Sequence, residues 1–124
     1  MKVHQEEELV IGGYTPPAGS RSHFGALLMG AYRGRELRYV GKVGTGYTQK
    51  SLAALYKVFQ PLIRPASPFS NPPREKGAVW LAPKLVAQVN FQEWTDDGKL
   101  RQPVFLGLRD DKKAEECILP EDIA

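Results

Sequence analysis

The chain has 124 residues, the length of one ordinary domain, which leaves room for one hydrophobic core and not two. Hydrophobic residues make up 42% and charged residues 25%, which excludes a disordered acidic segment, and no apolar run approaches the ~18–20 residues that span a bilayer. Seventeen Lys and Arg against fourteen Asp and Glu leave a net charge of +3, a mild basic excess that permits a polyanionic partner without establishing one. One cysteine, Cys117, excludes an internal disulfide, and with only His4 and His23 beside it the chain lacks the spacing of a structural zinc site, so no metal site is expected.

In chain order, Met1-Lys2-Val3-His4 runs straight into Gln5-Glu6-Glu7-Glu8, with no apolar stretch of a secretory signal. Lys2 and His4 alternate, so an extended backbone places both on one face. Residues 8–14 read as a first strand, closed off by Thr15-Pro16-Pro17, because proline cannot donate to a ladder. Residues 24–32 read as a second strand, Arg33-Gly34-Arg35 as a short hairpin turn, and residues 37–43 as a third strand. Gly25, Gly30 and Gly41 inside these runs suggest the bends of a small barrel. Leu52, Leu55, Tyr56 and Phe59 then fall at helical spacing behind Thr48 as N-cap, and Pro61 ends that helix at Gln60. The proline-rich residues 61–73 read as an ordered loop. Strand character returns at residues 78–81 and, with clear alternation, at 85–94. Thr95-Asp96-Asp97-Gly98 is a turn, residues 99–101 start a return strand and 103–108 form the last strand.

Three strands, one helix and two strands follow in the order of an OB-fold: an all-β, five-stranded barrel with one helix between the third and fourth strands. An SH3-like barrel or an open α+β sheet is the competing arrangement. The expected division is a short lead-in at residues 1–7, a barrel at 8–113 and a flexible acidic tail at 114–124.

Gly41-Lys42-Val43-Gly44-Thr45-Gly46 lacks the spacing of a phosphate loop and reads as a strand ending in a tight turn. Glu6, Glu7 and Glu8 read as a solvated strand lead-in, and no hydrolytic constellation is present. Arg109-Asp110-Asp111-Lys112 follows the last apolar strand directly. On its residues alone it is either a solvated strand end or a phosphate clamp, since Arg offers a planar fork of donors and Lys a compact charge.

Longer stretches resemble a known family. Leu9-Val10-Ile11-Gly12-Gly13-Tyr14-Thr15-Pro16-Pro17, Phe24-Gly25-Ala26-Leu27-Leu28, Val40-Gly41-Lys42-Val43-Gly44-Thr45-Gly46, Ser67-Pro68-Phe69 and Phe91-Gln92-Glu93-Trp94-Thr95 are similar to the C-terminal OB domain of ATP-dependent DNA ligases. The likeness is greatest to the ligase module of the bacterial non-homologous end-joining ligase D family, and it runs to about Lys113. It implies that Lys2 stands at the first lysine of nucleotidyltransferase motif V. His4 takes the place of that motif's second basic residue, with a titratable imidazole where a fixed charge is common. It also implies that Arg109-Asp110-Asp111-Lys112 is motif VI, whose Arg109 and Lys112 are brought over ATP to orient the pyrophosphate leaving group. Lys2, His4, Arg109 and Lys112 are thus the expected nucleotide contacts.

The resemblance further implies a partner in nicked double-stranded DNA, another in the adenylation domain of the same polypeptide, and possible end-joining partners. ATP and Mg²⁺ would be cofactors of the complete ligase, held mostly outside this chain, and the setting would be the bacterial cytosol and nucleoid, with no membrane. No lysine is followed by x-Asp-Gly, so the nucleophile that becomes adenylated is missing, and the chain alone is expected to be inactive. Motif V at residue 2 suggests a chain cut just inside the preceding domain. Charge and strand position, not a family motif, nominate Arg21, Arg33, Arg35, Arg38, Lys42 and Lys50 for DNA phosphates. The alternative is a stand-alone OB-fold that binds nucleic acid without catalysis, stacking bases on Tyr32, Tyr39 and Tyr47. A protein-binding barrel with no polyanion partner is a third class.

Overall fold

The computed structural model describes residues 5–17 and 23–119. Strands β1 (Gln5–Tyr14), β2 (Leu27–Arg33) and β3 (Glu36–Val43) precede helix α1 (Gln49–Phe59). The two-residue strand β4 (Ile63–Arg64), the long β5 (Val79–Phe91), the short pair β6 (Glu93–Trp94) and β7 (Leu100–Arg101), and β8 (Val104–Arg109) complete the chain order. Every ladder is antiparallel. The main sheet runs β3-β2-β1-β5-β4, with β8 also paired to β5. Taking β1, β2, β3, β5 and β8 as the five principal strands gives the OB order, with α1 between the third and fourth as expected.

The sheet curls towards closure without closing. Just past the third strand the Phe105 N–H of the last strand donates to the Thr45 carbonyl at 3.0 Å, with no ladder between the two strands among the described residues. Gly46, just past β3, has φ +101° and lies so close to Phe105 that a Cβ there would meet its backbone, so glycine lets the chain pass directly against β8 at this crossing.

Helix α1 forms for local reasons. The Thr48 hydroxyl accepts from the Ser51 N–H at 3.0 Å and the Ser51 hydroxyl accepts from the Thr48 N–H at 2.8 Å, a reciprocal cap on two otherwise unpaired donors. Leu52, Leu55 and Phe59 bury one stripe, and Phe59 packs against Tyr14 and Phe24 at centroid distances of 5.6 and 5.7 Å. This aromatic group lies in the inner core with Leu9, Ile11, Leu27, Met29, Val89 and Phe91.

A second core covers the outer face of the same sheet. Val10, Leu28, Leu37 and Val86 meet Phe69 from the proline-rich loop and Ala114 and Cys117 from the C-terminal segment. The middle of β1 is therefore buried on both faces, which explains why residues 9–14 read as a continuous apolar run and not as an alternation.

Three expectations are corrected. The runs at 78–81 and 85–94 belong largely to one strand, β5, which passes through Pro83. Its register against β1 jumps from Leu85 opposite Ile11 to Trp80 opposite Gly13, so residues 81–84 have no partner on β1, Leu81 pairing instead with Ile63 of β4, and Pro83 owes β1 no hydrogen bond. The boundary between residues 7 and 8 falls inside β1, because Glu6 and Glu7 already pair with Asn90 and Val89. Residues 114–119 are not a loose tail. The Tyr32 N–H donates to the Cys117 carbonyl and the Leu119 N–H to the Tyr32 carbonyl, both at 2.7 Å, and Ala114, Cys117 and Leu119 are buried.

Burial pushes the Cys117 thiol up to about 11, so at neutral pH it is protonated and enclosed. Iodoacetamide at pH 7.5 is expected to alkylate the folded chain at least about a hundredfold more slowly than the urea-unfolded chain. Equal rates, read by mass spectrometry, would mean that residues 113–119 are undocked.

Candidate phosphate-binding site

The site grows from the outer face of β1, β5 and β8. Alternation puts Glu6, Glu8 and Val10 on one side of β1, and the register places Glu8 opposite Gln88 and Val10 opposite Val86. Arg109, the last residue of β8, pairs with Val86 and so projects over the same face. Its guanidinium is held on three sides. Nε and Nη2 donate to the two Asp111 carboxylate oxygens at 3.0 and 2.9 Å, and Nη1 donates to Gln88 Oε1 at 2.8 Å. Gln88 in turn donates to Glu6. The Lys112 ammonium donates to Glu8 Oε1 at 2.8 Å, while Glu8 Oε2 lies 3.8 Å from Arg109 Nη1. One carboxylate on β1 therefore faces both cations.

The two cations are oriented without being sealed off. The Arg109 and Lys112 side chains keep 34% and 32% of their surface exposed. Three of the five guanidinium N–H groups are engaged, and one of the three on the ammonium, so each cation retains two donors for a visiting oxyanion. Hydrogen bonding from Arg109 holds the Asp111 carboxyl below its ordinary range, and the same bond raises Arg109. The bond to Glu8 raises Lys112. Glu7, on the opposite side of the strand, is raised first by burial and then by repulsion from Glu8. Sequence reasoning nominated Arg109 and Lys112 and missed what holds them. Glu8 and Gln88 are 80 positions apart, and the signal was the alternation of Glu6 with Glu8 on a strand taken as a simple solvated lead-in.

The other nominated residues are scattered. Lys2, His4 and Arg21 lie outside the described residues. Arg33 and Arg35 are exposed on either side of the β2–β3 turn at Gly34. Arg38 lies opposite Ala31 of β2 on the inner side of the sheet, whereas Lys42 lies opposite Leu28 on the outer side and is paired with Glu75 at 2.9 Å. Lys50 is exposed in the first turn of α1. The aromatic candidates are largely committed to local packing. Tyr47 donates to the Val43 carbonyl and stacks on Phe105 at 5.0 Å. Tyr39 packs against Phe69 at 5.5 Å with Lys99 5.9 Å above its ring, and burial pushes its phenol up to about 12. Among the described residues no group of three His, Cys, Asp or Glu side chains is arranged to hold a metal ion, and no helix is long and apolar enough to cross a membrane.

A curled antiparallel sheet in OB order, with an oriented guanidinium and ammonium at the end of its last strand, defines an OB-type module. Residues 20–112 match the family described as the C-terminal region of ATP-dependent DNA ligases, and the chain belongs to that family. It is 45% identical over 122 residues to the multifunctional non-homologous end-joining protein LigD of Pseudomonas aeruginosa, covering 94% of this chain and 14% of that protein. The crystal structure of the ligase domain of M. tuberculosis LigD superposes with a TM-score of 0.88 at 42% identity, covering 94% of this chain and 39% of that one. A mycobacterial DNA ligase D complexed with ATP and MES superposes with a TM-score of 0.82 at 39% identity, over 94% of this chain and 38% of that one. The chain thus spans a minor part of each of these relatives.

Proposed function

We propose that this chain is the OB domain of an ATP-dependent DNA ligase that seals nicked duplex DNA in bacterial double-strand-break repair by end joining. The observation that carries the reading is the Arg109–Asp111 and Lys112–Glu8 arrangement, which presents unspent N–H donors at the position the family resemblance gives to motif VI. Such donors suit phosphate oxygens, and nucleotidyl transfer relies mainly on positioning and on neutralising charge there. In this reading the domain closes over the adenylation domain of the same polypeptide, and Arg109 and Lys112 hold the β- and γ-phosphates of ATP. ATP supplies the adenylyl group and a pyrophosphate leaving group. The Mg²⁺ belongs with carboxylates of the partner domain, since the acids near Arg109 and Lys112 are spent on those cations. Lys2 and His4 would meet the nucleotide from motif V. The domain then turns another face to DNA, with Arg33 and Arg35 at the hairpin tip the exposed cations best placed to contact a backbone, and the complete enzyme works in the cytosol at the nucleoid.

The test is reconstitution. The chain alone is expected to gain no AMP mass with ATP and Mg²⁺, whereas adding it to a separately produced adenylation domain raises self-adenylation of that domain. A gain that persists unchanged with Arg109→Ala would overturn the reading.

A further inference from the structure

Beside Lys112 a groove of about 580 Å³ opens, lined by Tyr32, Pro83, Lys84, Lys112, Lys113 and Glu115 among others. Its walls come from separate parts of the chain. Lys84 stands on the bulge that carries Pro83 out of the β1–β5 ladder, a device that re-aims a side chain. Lys112 and Lys113 lie on the segment that links β8 to the short 3₁₀ turn Ala114–Glu116. Tyr32 is half-buried, and its backbone is clamped on both sides by Cys117 and Leu119, so the aromatic wall is fixed.

Charge balance separates this groove from the Arg109 cluster. Arg109 and Lys112 are offset by Asp111 and Glu8. Lys84 and Lys113 are exposed and take part in none of the ion pairs formed among the described residues. Glu115 is the single carboxylate on the lining, so the groove carries unbalanced positive charge against it. A volume of this order suits a compact ligand and not the side of a duplex.

We infer that this groove is a second oxyanion subsite, in which Lys84 and Lys113 receive a phosphate or diphosphate group adjoining the one on Lys112. The inference rests on reading Lys112 as a phosphate ligand. The group comes either from a free polyphosphate or from the 5′-phosphate of a DNA end, and both present the same terminal oxyanion.

The test is an NMR titration of this chain with inorganic pyrophosphate and, separately, with a short duplex with and without a 5′-phosphate. Pyrophosphate is expected to produce saturable shifts at Tyr32, Lys84 and Ala114. Lys84→Ala with Lys113→Ala is expected to raise Kd about tenfold, the scale of losing two exposed ionic contacts. Lys84→Gln alone, which keeps the stem, gives a smaller change in the same direction, and Glu115→Gln tightens binding. Shifts that need the 5′-phosphate and are absent with pyrophosphate support the subsite with DNA as its source. Equal shifts with and without the 5′-phosphate, and none with pyrophosphate, overturn it. So do shifts confined to Arg109 and Lys112 that both lysine variants leave unchanged, a result that leaves the Arg109 reading standing. Loss of that reading would appear instead as Arg109-independent self-adenylation with groove binding intact.

Discussion

Arg109→Ala in the complete ligase is expected to slow self-adenylation by about a hundredfold to a thousandfold, the usual consequence of removing one preorganised donor from developing negative charge. Sealing of a nick that already carries AMP is expected to fall by less than about fivefold, because no pyrophosphate leaves in that step. The geometry explains why the effect is concentrated. Asp111 and Gln88 fix the plane of the guanidinium, so its two remaining N–H groups have a defined direction before any ligand arrives. Arg109→Lys keeps the charge and loses the fork, and should recover only part of the rate. The Arg109–Asp111 pair is exposed enough to contribute little to folding, so the variant should melt close to the parent. Single-turnover measurement of both steps separates the cases. An equal loss in adenylation and sealing would assign Arg109 to DNA binding or to the fold.

What could be read from the sequence is what local patterns determine. The helix announced itself through Thr48, the stripe Leu52, Leu55 and Phe59, and Pro61, all within one short window, and it stands where it was placed. Arg109 and Lys112 could be nominated from the sequence because they stand within one contiguous four-residue stretch. Their holders could not, because Glu8 and Gln88 join them only through the cross-strand register, which is a property of the folded sheet. Pro83 split one strand into two on the page, since a proline argues against a strand interior unless a bulge removes the need for its N–H. The segment after Lys113 looked loose because its apolar residues Ala114, Cys117 and Leu119 are spaced without a strand or helix period. What orders it is the outer sheet face under Ala114 and Cys117 and the inner core around Leu119, which no periodicity in residues 114–119 reveals. Lys84 is brought beside Lys112 and Lys113 only by the β5 bulge and the docked segment, which no local pattern around residue 84 reveals.

That outer face leads to the second large effect. Phe69 is 5% exposed although it sits in a proline-rich loop, and it is held there by two bonds to β3: the Ser70 N–H donates to the Leu37 carbonyl at 2.8 Å and the Asn71 side-chain Oδ1 accepts from the Tyr39 N–H at 2.8 Å. Its ring meets Trp80 edge-on at 6.2 Å and lies directly over Gly12 and Gly30. Phe69→Ala is therefore expected to cost roughly 3–4 kcal/mol, as for other buried phenylalanines. The melting temperature should fall by roughly 10–20 °C, at about 3–5 °C per kcal/mol for a chain between the 100-residue and 150-residue classes. A loop merely resting on the surface would lose about 0.5 kcal/mol or less. The glycines give a sharper check. A Cβ added at Gly12 would collide with the Phe69 ring, and the three atoms nearest to it all belong to that ring. Gly12→Ala should thus destabilise the parent chain and be nearly silent once Phe69 is alanine. The coupling expected from the double-mutant cycle, measured by urea unfolding, is about 1 kcal/mol or more. Strictly additive losses would show that the proline-rich loop does not seat its phenylalanine on β1, and the two-faced burial of that strand would need another cover.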